Sequence, residues 1–327
     1  MKSIKINLNQ EVLLVIENGL LKDSDGGIYN SSFFKVDNSK YLISRVEKNN
    51  ELDRKLKHTE HRPVLFKIDD TYNVKSAKNI QFIYDGDLNE LTKEHNLDGF
   101  QKYRIEDFRV FSWNNQLWCN HNFSVHKVRP VISRINIEKS TLEHKKIKVK
   151  YLLNRVEKNW LFFEHENKIK FIYSINPLRI FSSEDGYEFK RELKIKTNLD
   201  KKYFWSGSTN PVDFDENHLM FFAHYRDEKK VYCNHLILLC KKTLEPILIS
   251  ENPIFREDKN KGIKPNVLYL MSHTKVNSED WIFSFGEGDM NTRIIKIKHK
   301  NFLEQLFEND WKNTYKRRKV FGNELFV

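Results

Sequence analysis

Five short polar segments hold the residues whose types could do chemistry: residues 29–32, 104–109, 157–160, 206–211 and 286–291. Carboxylic acids in such a set can move protons, and cations can hold an anion such as a phosphate group. Because the segments are far apart in sequence, this chemistry requires a fold that brings them together. The candidates within the segments are the carboxylates Glu106, Asp107 and Asp289, the cations Arg109 and Lys158, and the amides Asn30, Asn159 and Asn210. Arg45 and His224, at the ends of neighbouring apolar runs, complete the set.

Each polar segment adjoins a hairpin-like pattern: an apolar run, a turn rich in Asn, Asp and Ser, and a second, strongly apolar run. The five copies are residues 33–45, 109–122, 161–174, 211–224 and 273–286. Two β-prone runs separated by turn residues predict an antiparallel hairpin. The second runs open at Tyr41, Leu117, Ile169, Leu219 and Trp281, in steps of 76, 52, 50 and 62 residues.

Five units of about 60 residues, with about four strands each, predict an all-β fold, a five-bladed β-propeller. A β-sandwich or two separate β domains is the alternative. In a propeller the innermost strand of each blade passes the central channel, so the five polar segments would meet near one mouth of it. No Pro-, Gly- or Ser-rich linker interrupts the chain, which predicts a single domain over residues 1–327.

The composition excludes several classes of protein. Of the 327 residues, 39% are hydrophobic and 31% charged, which is too apolar for a disordered chain. No apolar run approaches the roughly 20 residues of a transmembrane helix. Residues 1–6 alternate like a strand and lack the apolar core of a signal peptide. With only three cysteines, we do not expect a disulfide framework. We expect a cytoplasmic location instead.

The net charge of +11 suits an anionic partner, which could be a phosphorylated sugar, a nucleic acid or a membrane surface. The basic runs 145–150 and 316–319 come without a nucleic-acid-binding motif, so no nucleic-acid partner is expected. Residues 301–315 carry apolar side chains at helical spacing, which predicts a C-terminal amphipathic helix, with a basic tail completing residues 301–327. The helix could pack on the propeller or contact an anionic membrane, and both interpretations stay open.

Two Cys-Asn-His triplets, residues 119–121 and 233–235, place a cysteine and a histidine on one face of a strand. Two such pairs could form a zinc site if they met, but their spacing matches no zinc motif. We therefore expect core or edge residues there, and neither a metal nor a cofactor. No glycine-rich phosphate loop is present.

The order of the motifs resembles that of a known enzyme family. In chain order they are Asn30-Ser31-Ser32 with Arg45, Glu106-Asp107-Phe108-Arg109, the strand 219–224 ending in His224, and Phe285-Gly286-Glu287-Gly288-Asp289. The set is similar to that of the five-bladed propeller enzymes acting on β-mannosides. These are the β-1,2- and β-1,4-mannoside phosphorylases, their hydrolase relatives and the related β-1,2-mannosyltransferases.

The resemblance implies that Asp107 is the general acid or base. An ion pair of Asp107 with an adjacent arginine is the alternative. Trp160 is the candidate aromatic platform for a sugar ring. The other expected substrate-binding residues are Asn30, Arg45, Glu106, Arg109, Lys158, Asn159, Asn210, His224 and Asp289.

The sequence departs from the family pattern at two places. Phe108 replaces a proline, and Ile175-Asn176-Pro177 replaces a His-Arg-Pro whose arginine helps to hold phosphate. Lys158, Arg45 or Arg179 would have to substitute for that arginine. Related five-bladed hydrolases that act on furanosides use an Asp on the first blade as the catalytic base. The corresponding residue here is Asn30, which cannot act as a base, and this disfavours hydrolysis. Inverting hydrolysis would need a second carboxylate, for which the candidates are Glu164, Asp213 and Asp289.

These observations predict an inverting, glycosyl-transferring enzyme. It would move a mannosyl-type residue between a phosphate-activated sugar, as a sugar phosphate or nucleotide sugar, and a glycan acceptor. The alternatives are an inverting glycoside hydrolase and a non-catalytic propeller that binds glycan or protein.

Overall fold

The five predicted hairpins form the first two strands of five separate sheets. A computed structural model describes residues 11–17, 20–21, 26–48, 60–83, 104–124, 128–150, 156–250, 252–257, 263–264 and 266–300. Within them the sheets are the blades of a five-bladed β-propeller, as the sequence predicts. Two-residue turns with positive φ at both positions, at Asn114-Asn115 and Glu166-Asn167, connect two of the hairpins. This geometry matches the twist of paired strands.

The blades follow one another along the chain. Blade 1 contains β2 (Gly27–Val36), β3 (Ser39–Lys48), β4 (Glu60–Ile68) and β5 (Val74–Asn79). Blade 2 contains β7 (Arg104–Trp113), β8 (Gln116–Ser124), β9 (Val128–Asn136) and β10 (Thr141–Lys145), with β6 (Gln81–Ile83) at its outer edge. Blade 3 contains β12 (Leu161–His165), β13 (Lys168–Ile175), β14 (Leu178–Ser183) and β15 (Glu188–Ile195), with β11 (Lys148–Val149) outermost.

The last two blades depart slightly from this pattern. In blade 4 the innermost position is shared by β16 (Ser206–Gly207) and β17 (Val212–Asp213), which both pair with β18 (His218–Arg226). The strands β19 (Tyr232–Cys240) and β20 (Pro246–Ile249) follow. Blade 5 contains β21 (Leu268–Lys275), β22 (Asp280–Glu287) and β23 (Asn291–Lys298). Its outermost strand is β1 (Glu11–Ile16), so the ring is closed by strands from opposite parts of the sequence.

Among the described residues the core contains five large hydrophobic clusters, one at each interface between neighbouring blades, and a smaller sixth cluster around Tyr269 and Met271. The second strands are buried on both faces because each blade is covered by its two neighbours, which explains their almost continuous apolar sequence. Representative pairs are Phe34 and Phe108, Trp118 and Phe162, Phe163 and Phe221, Phe222 and Trp281, and Phe33 and Ile282.

Two innermost strands carry β-bulges at the end where the polar segments lie. The pairing of β2 with β3 shifts between Tyr29 and Ser32, and that of β7 with β8 shifts between Glu106 and Arg109. Asn30 and Asp107 lie inside these bulges with φ of 53° and 62°. A bulge re-aims the side chains around it, and Asn and Asp tolerate positive φ better than most residues.

The predicted C-terminal helix and basic run, residues 301–319, lie outside the described residues. Among those that are described, no helix is long and apolar enough to cross a membrane.

Candidate active site

Asp107 presents a buried carboxylate at the bulged end of the innermost strand of blade 2. Its residue is 8% exposed. One carboxylate oxygen accepts a hydrogen bond from Asn30 Nδ2 at 2.8 Å, and the other accepts one from Asn122 Nδ2 at 3.2 Å. Both donors are neutral amides, so the carboxylate is oriented without a salt bridge to either of them. A carboxylate held in this way can still give or take a proton.

Arg109 binds the main chain of Asp107 and does not pair with its carboxylate. Its Nη1 donates to the main-chain oxygen of Asp107 at 3.1 Å, its Nε to the main-chain oxygen of Ser208 at 2.5 Å, and its Nη2 to Asn159 Oδ1 at 3.2 Å. Nη2 also donates to the hydroxyl group of Tyr269. The alternative in which an adjacent arginine pairs with Asp107 therefore does not apply to Arg109.

The burial of Arg109 changes the role that the sequence suggested for it. The residue is 1% exposed, and all three of its nitrogens donate to groups of the protein. It is a positioning residue that joins blades 2, 3, 4 and 5, and we correct its expected role as a direct substrate contact.

Arg45 lies in a cluster with two carboxylates and a histidine between blades 1 and 2. It contacts Glu47 at 3.0 Å, Glu106 at 3.3 Å and His61 Nε2 at 2.9 Å. The Tyr29 hydroxyl group donates to Glu47, and burial is the main cause that raises the pKa of Tyr29. Arg45 is thus largely neutralised, which makes it a weak candidate for holding a phosphate dianion.

The other side of the site is basic. His224 Nδ1 lies 2.8 Å from Ser208 Oγ, and its ring packs against those of Tyr232 and Tyr269. Burial, followed by the charges of Arg109, Lys158 and Arg226, lowers the pKa of His224 to about 3. The imidazole is therefore neutral at physiological pH, and the cations Lys158 and Arg226 near it are exposed.

Blade 5 completes the site through the turn between β22 and β23. Asp289 lies in this turn and forms an ion pair with Lys264. The neighbouring Met290 carbonyl accepts a hydrogen bond from the main-chain nitrogen of Ile28 at 2.9 Å, which holds the turn against blade 1. Gly286 on β22 packs directly against Asn30, and a Cβ at this position would lie 2.0 Å from Asn30 Oδ1 and force that side chain to move.

The structure places two predicted substrate contacts away from solvent. Trp160 is 1% exposed and stacks on Phe171 with ring centroids 4.5 Å apart, inside the interface of blades 2 and 3. It is a core residue, so its expected role as a sugar platform is corrected. Asn210 accepts from the Phe162 main chain at 2.9 Å and donates to Asn120 at 2.8 Å, so it connects blades and has no free amide for a substrate.

Several residues of the site were not found from the sequence. Asn122 lies near the end of β8 opposite Glu106, just as Arg45 lies near the end of β3 opposite Tyr29. Strand-end equivalence was therefore a usable signal for Asn122. Glu47 follows Arg45 by two residues on β3 and therefore lies on the same face of that strand. His61 and Tyr269 had no such signal, because their proximity depends on pairing between distant segments.

The remaining candidate features lie elsewhere. The Cys-Asn-His triplets are buried in the blades, and the described part of the chain contains no group of three His, Cys, Asp or Glu residues that could hold a metal. Two surface cavities of about 540 and 400 Å³ do not include Asp107. The first is lined by residues 212–213 and 274–278, and the second by Trp113, Trp118 and their neighbours.

Fold and site together define a five-bladed β-propeller with an amide-held carboxylate beside its channel. Its fold is that of the mannoside phosphorylases, which confirms the resemblance noted in the sequence. It is similar to a β-1,2-mannobiose phosphorylase from Listeria innocua solved with β-1,2-mannobiose, with a TM-score of 0.67 and 16% identity over 91% of this chain and 99% of that one.

Other solved structures with the same fold include both phosphorylases and hydrolases. A mannose phosphorylase from Leishmania mexicana in complex with phosphate has a TM-score of 0.57 and 13% identity, and covers 91% of each chain. A glycosyl hydrolase from Bacteroides ovatus has a TM-score of 0.64 and 12% identity, covering 92% of this chain and 93% of that one. No protein-family model and no curated protein matches the sequence.

Proposed function

We propose that the protein is a carbohydrate-active enzyme that transfers a glycosyl residue, of mannosyl type, between a phosphate-activated sugar and a glycan acceptor with inversion. The observation that carries this proposal is the Asp107 carboxylate, held by Asn30 and Asn122 at the channel end of blade 2. The sugar and the phosphate are suggested by those structures of the same fold that are mannoside phosphorylases.

In this proposal Asp107 moves the proton and the sugar carbon changes partner in one displacement. In the direction of synthesis, the acceptor hydroxyl group attacks the anomeric carbon, its proton passes to Asp107, and the phosphate leaves with the bonding electrons. In phosphorolysis the same residue, protonated, gives its proton to the departing glycosidic oxygen while phosphate attacks. A single displacement inverts the anomeric configuration. Positioned proton transfer contributes about 10²- to 10⁴-fold to such reactions.

The basic side of the site is the proposed location of the phosphate group. Lys158 and Arg226 are exposed cations close enough to lower the pKa of His224, and the neutral imidazole can itself donate a hydrogen bond. Charge-assisted hydrogen bonds from such cations stabilise a phosphate dianion. These two cations would take over the task of the arginine that the sequence lacks before Pro177.

Hydrolysis has less support than transfer to or from phosphate. Inversion by water needs a second carboxylate about 6.5–9.5 Å from the acid. Of the residues considered for this role, Asp213 pairs with Lys241, and Glu164 lies in the same half of its blade as the β12–β13 turn, away from the bulged strand ends. Asp289 is paired with Lys264. The other alternative, a non-catalytic propeller that binds glycan or protein, predicts no turnover of any donor.

A product assay by mass spectrometry tests the proposal. The protein is incubated with mannose 1-phosphate or GDP-mannose and mannosyl acceptors, and in the reverse direction with β-mannosides and inorganic phosphate. Asp107→Asn should lose at least about 100-fold in turnover. Asp37→Asn is the matched control, since Asp37 also has positive φ, of 50°, but lies in an exposed hairpin turn. Full activity of Asp107→Asn would refute the assignment, and release of free mannose without phosphate would favour hydrolysis.

A further inference from the structure

A surface cavity of about 540 Å³ lies between blades 4 and 5, at the end of the propeller opposite the candidate active site. It is lined by residues 212–213 of β17 and residues 274–278 around the β21–β22 turn, whereas Asp289 of the site lies in the β22–β23 turn at the other end. Val212 and Val276 are half-buried and pack against hydrophobic clusters of the blade interfaces. The cavity is therefore a partly apolar groove, and its volume is within the roughly 300–1,000 Å³ of binding pockets.

The C-terminal segment leaves the propeller next to this cavity. Residues 299–300, directly after β23, have helical backbone. The centroid of the His299 ring lies 5.9 Å from that of Phe214, and Phe214 directly follows the cavity residue Asp213. His299 Nδ1 also accepts a hydrogen bond of 2.8 Å from the Trp281 indole nitrogen. These contacts fix the start of the C-terminal segment at the interface of blades 4 and 5.

The predicted helix 301–315 has an apolar stripe that requires a partner surface. Leu303, Phe307 and Trp311 recur every four residues, and Phe302 and Leu306 lie beside them. Most of the stability of such a helix in water comes from packing its apolar face against another element. At 1.5 Å per residue, its first two turns cover only about 10 Å, so this part of the stripe lies within reach of the cavity.

The charges favour the propeller over a membrane as the partner of this helix. A helix that lies on a membrane surface is typically rich in Lys and Arg on its polar face. Residues 301–315 instead contain three acidic residues and a single lysine. Lys275, an exposed cation that lines the cavity, is close enough to add to the effect of burial in lowering the pKa of His299. An acidic helix that starts at His299 is therefore attracted to the cavity and repelled by anionic lipid.

We propose that the apolar stripe of residues 301–315 docks in the cavity between blades 4 and 5 and covers it. The occupant belongs to the same chain, and the contacts of His299 hold it beside the cavity at a high effective concentration. The docked helix extends the hydrophobic cluster of the blade 4–blade 5 interface to the end opposite the candidate active site. This inference does not depend on the proposed reaction.

Photo-cross-linking in the full chain tests where the helix lies. The photoreactive residue p-benzoylphenylalanine is placed at Phe307, where it keeps an aromatic ring on the stripe, and the cross-linked peptides are identified by mass spectrometry. We expect cross-links to residues 212–214 or 274–278. The matched control carries the same photoreactive residue at Gln305, on the opposite face of the predicted helix, and should not give these cross-links. Adding vesicles of phosphatidylcholine and phosphatidylserine should leave both patterns unchanged.

The accessibility of the cavity provides a second test. A thiol introduced by Ser278→Cys is labelled with a maleimide, and labelling at this position is followed by peptide mass spectrometry. Replacing both Leu303 and Phe307 with Asp should speed this labelling at least about tenfold, because two large apolar side chains would no longer hold the helix in place. Replacing both Gln305 and Asn309 with Asp adds the same charge to the opposite face and should leave labelling slow.

Each result supports or overturns the docking. Cross-links from position 307 to other blades, to a second copy of the chain, or to lipid overturn it. So does labelling of Ser278→Cys that is as fast in the parent as after replacement of Leu303 and Phe307. Cys119, which is buried in blade 2, stays unlabelled as long as the propeller is folded. If it is labelled in the doubly substituted variant, the cross-links decide, because they require no destabilising substitution.

Discussion

Replacing Asn30 with Asp turns the amide-held carboxylate of the site into a pair of carboxylates. The backbone should tolerate the change, because Asn30 has a φ of 53° and Asp accepts this conformation about as readily as Asn. The hydrogen bond of 2.8 Å from Asn30 Nδ2 to Asp107 is then replaced by two acidic groups in contact. At neutral pH the pair must share a proton or repel.

The size of the effect follows from that contact. Two carboxylate charges about 4 Å apart at an effective dielectric constant of about 20 repel by about 4 kcal/mol. At 1.36 kcal/mol for each pH unit, the limb of the activity profile that requires an ionised carboxylate should move upward by about 3 pH units. The second ionisation is disfavoured in the folded state. The variant should therefore also lose stability relative to the wild type as pH rises from the ordinary pKa of an aspartate to the raised pKa of the pair.

Two measurements check this prediction independently. One is the pH dependence of kcat/KM in the product assay, and the other is the urea midpoint between pH 5 and pH 9, which does not depend on knowing the substrate. Asn115→Asp, at an exposed turn residue with a φ of 55°, is the matched control and should leave both profiles unchanged. If Asn30→Asp has wild-type profiles in both measurements, the reasoning about Asp107 and its neighbour is wrong.

Three further predictions concern the support of the site and the core. Tyr269→Phe removes a hydroxyl group that donates to Asn159 Oδ1 at 2.9 Å, and should lower the free energy of unfolding in urea by about 1–3 kcal/mol; an unchanged midpoint would show that the hydroxyl group is not needed. Gly286→Ala places a Cβ against Asn30 and should reduce kcat by displacing it, while circular dichroism stays that of a folded β protein; wild-type kcat would contradict this. Burial is the main cause that lowers the pKa of His121 from 6.5 to about 3, so its neutral form contributes stability that is present above pH 6.5 and lost as pH falls toward 3. His121→Phe should therefore reduce the acid slope of stability by about 1 kcal/mol per pH unit, and an equal slope in both proteins would exclude this origin.

The hairpins could be predicted because their information is local. Turn residues such as Asn114 and Asn115 adopt the positive φ that a two-residue turn needs, and the runs around them have the composition of strands. The repetition of this local pattern was enough to identify the propeller. The bulges that re-aim Asn30 and Asp107 were not predicted, because a bulge depends on how two strands align.

The incorrect prediction for Trp160 has a simple physical reason. Asn159 and Trp160 precede β12, which begins at Leu161, and the backbone turns at Asn159, whose φ is 62°. Asn159 bonds to Arg109, and Trp160 therefore enters the interface with blade 2. Adjacency in sequence suggested a shared role, but the two side chains leave the turn at Asn159 toward different partners. Tyr269 is the opposite case: it is far from Arg109 in sequence, and only closure of the ring brings the two residues into contact.

The pairing of β1 with β23 makes the last blade dependent on the order in which the chain is synthesised. Ile16 is synthesised long before its partner Thr292, so β1 has no partner until β23 is made. Until the two strands pair, each leaves a free edge, and free strand edges invite pairing with other chains. A nascent chain therefore remains open to association with its neighbours on a polysome until the ring closes.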